Sequence, residues 1–180
     1  MKKTVLTYGL ISGAVSSVMM LLTMPFLDRI GFDQAEVLGY TTLLASFLLV
    51  FFGIRSYRDH VAGGTLPFGR AFTVGILITL LSSVCYVATW QIVRRTLAPD
   101  FGEKYAAHLI ERAKESGASP AEIAEKQRQM ASMTELMKNP VVDVAVTFLE
   151  PFPIGLLVTL LSAAVLRQKN GSEIVVPSCA

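Results

Sequence analysis

Charge is what this chain has least of: 17% of its 180 residues are Asp, Glu, Lys or Arg, against about 25% in ordinary soluble domains. That deficit argues against a soluble globule. Histidine and cysteine are as scarce, with two of each. Cys85 lies inside an apolar run and Cys179 one residue from the end, so no disulfide framework is available. The spacings H-E-x-x-H and G-x-S-x-G do not occur, and Gly53, Gly63, Gly64 and Gly69 are not followed by the Gly-Lys-Ser/Thr of a phosphate loop. His108, Glu111 and Glu115 recur at spacings of three and four, but one histidine with two acids reads as a solvated helix face rather than a metal site. The expectation is a non-enzyme without catalytic, cofactor or metal residues. A net charge of +2 is too small to mark a nucleic-acid partner.

What the chain has in excess is apolar length. Hydrophobic residues make up 52% of it, and the mean hydropathy is +0.52. Runs 4–27, 37–54 and 71–93 contain no charge, and run 144–166 contains only Glu150. Each is about long enough to cross a hydrocarbon core of roughly 30 Å as a helix, and none shows the polar face of a soluble helix. Lys2 and Lys3 precede the first run as they would in a secretory signal, but the run is too long and lacks an A-x-A-like site, so it reads as a retained anchor. The pattern predicts an all-α integral membrane protein: one four-helix membrane domain over 1–168, with a mobile tail over 169–180 and the lipid bilayer as its surroundings.

Basic residues near span ends favour the cytoplasmic side. Lys2, Lys3, Arg55, Arg58, Arg70, Arg167 and Lys169 fall on one side of a four-span layout, whereas the loop 28–36 carries Arg29 against Asp28, Asp33 and Glu36. Both termini are therefore expected in the cytoplasm. Arg94 and Arg95 run against this rule, but they open a long segment of mixed charge that counts less.

That segment, 94–139, is the one substantial polar stretch. Phe101, Tyr105, Leu109 and Ala113 recur every four residues and give one helix an apolar stripe; Gly117 ends it. Ser119, Pro120 and Glu122 then form a helix start, with Ser119 as N-cap and Glu122 as the acid of a capping box. In the second helix Ile123, Met130, Met133 and Met137 recur at seven, three and four, as in a packing seam. An antiparallel helical hairpin over 99–138 is expected, extracytoplasmic, with its two apolar stripes facing each other. Asn139-Pro140 restarts the chain.

Several short runs resemble one known family. They are FFGIRSYRD at 51–59, GGT at 63–65, FGRA at 68–71, PDF at 99–101, SGAS at 116–119, KNP at 138–140 and FLEPFP at 148–153. Over about 1–168 the chain is similar to the bacterial membrane proteins of domain-of-unknown-function family 4199. The resemblance implies a bacterial inner membrane and four spans, and brings no activity, ligand or catalytic residue with it.

Glu150 is the least expected residue, because an acid within a span costs about 2.5–3.5 kcal/mol at the bilayer centre and is a functional candidate by default. Pro151 and Pro153 lack N–H groups, which leaves carbonyls one turn earlier without helical donors. The structural reading has Glu150 satisfy such a carbonyl or pair with Arg94 or Arg95. The functional one gathers Glu150, Thr147, Gln91, Trp90, Thr23 and Thr42, which lie at similar depth, into one polar cavity. Small-residue ridges at Gly9, Gly13 and Ser17, and at Gly75, Thr79 and Ser83, point to close helix packing, within one chain or between two. Two functions remain open at this stage. One is an envelope scaffold or assembly protein binding a partner, or a second copy, through the hairpin face of Tyr105, Leu109, Ile123, Met130, Met133 and Met137. The alternative is a small transporter or proton-linked unit built around Glu150.

Overall fold

The computed structural model describes residues 1–167; the tail 169–180, with Cys179, lies outside the described residues. Among the described residues every regular element is helical. Helix α1 (Lys2–Thr23) runs through a 3-10 turn at Met24–Phe26 into the single turn α2 (Leu27–Ile30), and α3 covers Phe32–His60. Then come α4 (Phe68–Thr96), α5 (Phe101–Glu115), α6 (Pro120–Leu136), α7 (Pro140–Leu149) and α8 (Pro151–Leu166).

Four of these stretches are long and apolar enough to cross a membrane: Lys2–Ile30, Phe32–His60, Phe68–Thr96 and Pro140–Leu166, of 29, 29, 29 and 27 residues. At 1.5 Å per residue each is about 40–44 Å long, more than the hydrocarbon thickness. They overrun the uncharged runs for a local reason. A helix continues at little cost until something stops it, and the stops here are Gly31 (φ 82°), the glycine pair Gly63-Gly64, and Asn139-Pro140. The overrun carries Arg55, Arg94 and Asp143 into helices, at their ends.

The bundle is inside-out relative to a soluble protein. Leu6, Leu10, Val18, Leu22, Phe52, Val84, Leu157 and Val165 are exposed, while Ser12, Ser46, Thr79, Ser82, Ser83 and Thr159 are buried. An apolar exterior of this extent belongs in lipid. Helix α4 is central, packed against α1, α3, α8 and the start of α7, and α3 packs on α1 and α8. Small residues permit this. A Cβ on Gly9 would fall 2.7 Å from Leu81 Cδ2, on Gly13 2.6 Å from Cys85 Cβ, and on Gly75 2.7 Å from Thr159 Cγ2; one on Gly155 would strike Thr79 and Phe47. The two ridges therefore join helices of the same chain, α1 to α4 and α4 to α8. Hydroxyls bridge the same seams: Ser12 Oγ donates to the Ser46 carbonyl at 2.9 Å and meets Ser82 Oγ at 2.9 Å, and Thr79 and Thr159 pair at 2.9 Å. Such bonds contribute about 0.6 kcal/mol each in membranes.

The large apolar core is confined to one end. Phe47, Val50, Ile54, Leu66, Ala71, Val74, Ile78, Ala163 and Leu166 gather where α3, α4 and α8 meet beneath the 61–67 connection. At the other end α3 packs little against α7, and helices α5 and α6 stand there instead.

The turn between the hairpin helices falls at Gly117 and Ser119, as the sequence marks it, while α5 begins at Phe101, two residues after the expected Pro99. Gly117 (φ 79°) lets the Ala118 N–H close on the Ala113 carbonyl at 3.0 Å. The Ser119 N–H donates to Glu122 Oε2 at 2.7 Å and the Glu122 N–H to Ser119 Oγ at 3.4 Å, completing the capping box. Asn139 Oδ1 accepts from the Val141 N–H at 3.0 Å and caps α7.

Candidate functional site

The functional candidates lie at the hairpin end. Helix α5 is strongly amphipathic, but its stripe is divided: Leu109 and Ala113 stay on the α6 side, whereas Phe101 and Tyr105 turn to the bundle. Phe32, the first residue of α3, is surrounded by Phe101, Tyr105 and His108, with ring centroids at 5.8, 5.8 and 5.1 Å. Trp90 of α4 meets Phe101 edge-on at 4.9 Å. Charges frame this aromatic patch: Lys104 lies 3.3 Å from Asp28, and Arg112 and His108 lie 3.2 and 3.3 Å from Asp33. Hydrogen bonds to Asp100 and Asp28 push the Lys104 amine up from its ordinary value. Exposed pairs of this kind contribute about 0–1 kcal/mol each, so the rings carry most of the docking. The physical reason for the difference from expectation is burial: Phe32 and Trp90 at the bundle end offer Phe101 and Tyr105 ring faces and edges to pack on.

Helix α6 is left with α5 as its main neighbour and has no buried residue. Ile123, Met130 and Met137 are half-buried, Met133 is 40% exposed and Leu136 57%. Leu109 and Ala113, on the flank of α5, line a shallow groove with Ala118, Glu122 and Lys126. The six residues of the expected interaction face are thus divided: Tyr105 turns to the bundle, Leu109 to the hairpin groove, and the Met side is partly open.

Beneath the hairpin, α7 is tied to α4 by a buried carboxylate. Asp143 is 1% exposed; its Oδ1 accepts from Arg94 Nη1 and its Oδ2 from Gln91 Nε2, both at 2.7 Å. This corrects the expected pairing of Glu150 with Arg94 or Arg95. Asp143 faces the end of α4, whereas Glu150 is seven residues further along, about 10 Å deeper at 1.5 Å per residue. Glu150 instead accepts from the Tyr86 hydroxyl, which lies 3.2 Å from Oε2. The chain stays in the right-handed helical region at Glu150 (φ −72°, ψ −60°), so α7 and α8 form a kinked helix rather than an unwound one.

The side chains grouped by depth do not converge on one cavity. Thr23 donates to the Met19 carbonyl and Thr42 to that of Leu38 at 2.7 Å, each within its own helix. Thr147 likewise donates to the Asp143 carbonyl at 2.8 Å. Gln91 belongs to the Asp143 network and Trp90 to the aromatic patch. Glu150 has other neighbours, which Tyr105 reports: burial pushes its phenol up, helped by the nearby Glu36, Tyr40 and Glu150.

Asp143, Tyr86, Tyr40 and Phe32 are not singled out by the sequence reading. Asp143 sits one residue outside the uncharged run. Its signal is nonetheless present: Asp143, Thr147 and Glu150 are spaced four and three, on one helix face, and Gln91 and Arg94 are three apart on another. No group of three or more His, Cys, Asp or Glu side chains able to hold a metal occurs among the described residues.

Comparison with known proteins agrees with this architecture at the level of family. No curated protein and no solved structure matches the chain. One family model does, over residues 7–168, which takes in most of the first membrane helix, the other three and the hairpin between the last two. This helical, multi-pass membrane protein therefore belongs to the family described as Protein of unknown function (DUF4199).

Proposed function

We infer that the protein is a non-enzymatic scaffold or assembly component of a bacterial inner membrane, and that its α5–α6 hairpin is the part that engages another protein. The observation that carries this reading is the contrast between the two hairpin helices. Helix α5 is clamped to the bundle through Phe32 and Trp90, while α6, with its own capping box, has α5 as its main neighbour and leaves Met133 and Leu136 exposed. A helix fixed at its base and open along its side suits helix-on-helix recognition, with Met133 and Leu136 as adaptable apolar contacts. The bias of Lys2, Lys3, Arg55, Arg58, Arg70 and Arg167 supports cytoplasmic termini, and with them an extracytoplasmic hairpin. Photocrosslinking amino acids placed in cells at Met133, Leu136 and, for comparison, the lipid-facing Val165 test the reading. A discrete adduct from the first two and not from the third is expected; no adduct from α6 would refute it. Thiol labelling of cysteines introduced at Ser132 and Thr65 tests the orientation, the first reacting from outside the cell membrane and the second not.

A second reading, a transport or proton-linked unit, is favoured by one observation: the Glu150 carboxylate lies within a span, beside Tyr86 and at a proline kink, with no cationic side chain bonded to it among the described residues.

A further inference from the structure

The two ends of the bundle differ in charge as they do in packing. A Cβ on Gly53 would touch Tyr8 and Ile78, and one on Gly75 would touch Ile54 and Thr159, so α1, α3, α4 and α8 share one level at these contacts. Past that level, toward the 61–67 connection, lie Lys2 and Lys3 of α1, Arg55 and Arg58 of α3, Arg70 of α4 and Arg167 just after α8. Each stands two to eight residues beyond the contact on its own helix, about 3–12 Å at 1.5 Å per residue. Four helices thus bring their cations to one rim. Asp59 is the one acid there among the described residues, and it is already engaged by Arg58 at 2.7 Å and Arg55 at 3.6 Å. Lys2, Lys3, Arg70 and Arg167 are exposed, and no salt bridge reaches them among the described residues.

The hairpin end is built the other way, with its cations matched locally: Arg94 by Asp143, Lys104 by Asp28 and Asp100, Arg112 by Asp33 and Lys138 by Glu135. On the membrane side of the unmatched rim, each of the same four helices exposes an apolar side chain: Leu6, Phe52, Leu77 and Val165. Cations above an apolar wall are the complement of a phospholipid with a net negative headgroup, whose phosphate lies at the interface while its chains run along the helices. Lysine and arginine stems reach such headgroups while staying on the wall. An acidic soluble partner would answer the charge but not the wall.

We propose that the 61–67 end of the bundle is a selective binding surface for anionic phospholipid, with Lys2, Lys3, Arg70 and Arg167 as its phosphate contacts. The proposal is independent of the hairpin reading and of the leaflet this end faces. The test is titration of the purified full chain in nonionic detergent with dioleoyl phosphatidylglycerol, dioleoyl phosphatidylcholine or inorganic phosphate, bound lipid being counted by native mass spectrometry. Each cation near an anionic surface is worth about fivefold in affinity, so phosphatidylglycerol is expected to bind about tenfold or more tightly than phosphatidylcholine. Raising ammonium acetate from about 0.05 to about 0.5 M should remove most of that preference. The variant Lys2→Gln/Lys3→Gln/Arg70→Gln should lose it, whereas Lys114→Gln/Arg128→Gln/Lys138→Gln, on exposed hairpin positions, should keep it. Should the first variant fail to insert, Arg70→Gln alone must weaken phosphatidylglycerol about fivefold and leave phosphatidylcholine unchanged. Equal affinity for the two lipids, a preference that ignores salt, no loss in the rim variants or an equal loss in the hairpin variant overturns the proposal. Displacement of the lipid by inorganic phosphate also overturns it, because the site would then serve a free anion.

Discussion

Replacing Arg94 by Met should cost more than any other single change of a charged residue in this protein. Asp143 is 1% exposed and takes two hydrogen bonds, one from Gln91 and one from Arg94. Removing one partner of a buried ion pair strands the other charge and costs about 3–5 kcal/mol. The Arg94 side chain is 32% exposed, so part of its own desolvation is spared and Gln91 remains. A loss of about 2–3 kcal/mol is expected for Arg94→Met. Asp143→Leu should cost less, about 1–2 kcal/mol, because a partly exposed guanidinium can turn back toward water. The double variant, lacking both charges, should return to within about 1 kcal/mol of wild type. Coupling of about 2 kcal/mol or more is therefore expected from the double-variant cycle, read as reversible unfolding in mixed detergent and SDS micelles followed by circular dichroism. The rival account is that Asp143, in the first turn of α7, is held by the helix terminus and capped by backbone donors. That account gives single-variant effects that add to within about 0.5 kcal/mol, and such additivity would refute the ion pair as the tie between α4 and α7.

Three further outcomes follow from the packing and the caps. Gly155→Val places a branched side chain against Thr79 and Phe47, where even a Cβ collides, and should destabilise the bundle by about 1–3 kcal/mol in the same unfolding assay. Tyr105→Asp should release α5 from Phe32 and speed proteolysis between α5 and α6, whereas Met133→Asp on the open side of α6 should leave the wild-type cleavage rate unchanged. The Glu122 carboxyl is held below its ordinary value by the Ser119 N–H and then by the Ser119 hydroxyl. Its folded value is the depressed one, so the capping contribution is complete above the unfolded value near 4.5 and is lost as pH falls through the folded value. Protection of the amides at the start of α6, taken relative to intrinsic exchange at each pH, should therefore fall on acidification below about pH 4.5 in wild type and stay constant in Glu122→Gln.

The amino-acid sequence by itself determined the spans, their order and the local starts and stops of the helices. These depend on information within a few residues: an apolar run that cannot stay in water, a proline without an N–H, a glycine at positive φ, a serine three residues before a glutamate. Neighbours were decided only by the tertiary structure. Periodicity placed Phe101, Tyr105 and Leu109 on one stripe but not opposite a particular helix, and burial sent Phe101 and Tyr105 to Phe32 while Leu109 stayed in the hairpin. Depth alone likewise could not sort the polar side chains. Thr23 and Thr42 bond carbonyls four residues back in their own helices, while rotation about the helix axis turned Arg94 to Asp143 and Tyr86 to Glu150. Distance along a helix is written in residue numbers, but which face meets which partner is fixed only when close packing at Gly9, Gly13, Gly75 and Gly155 sets the rotation of all four membrane helices together.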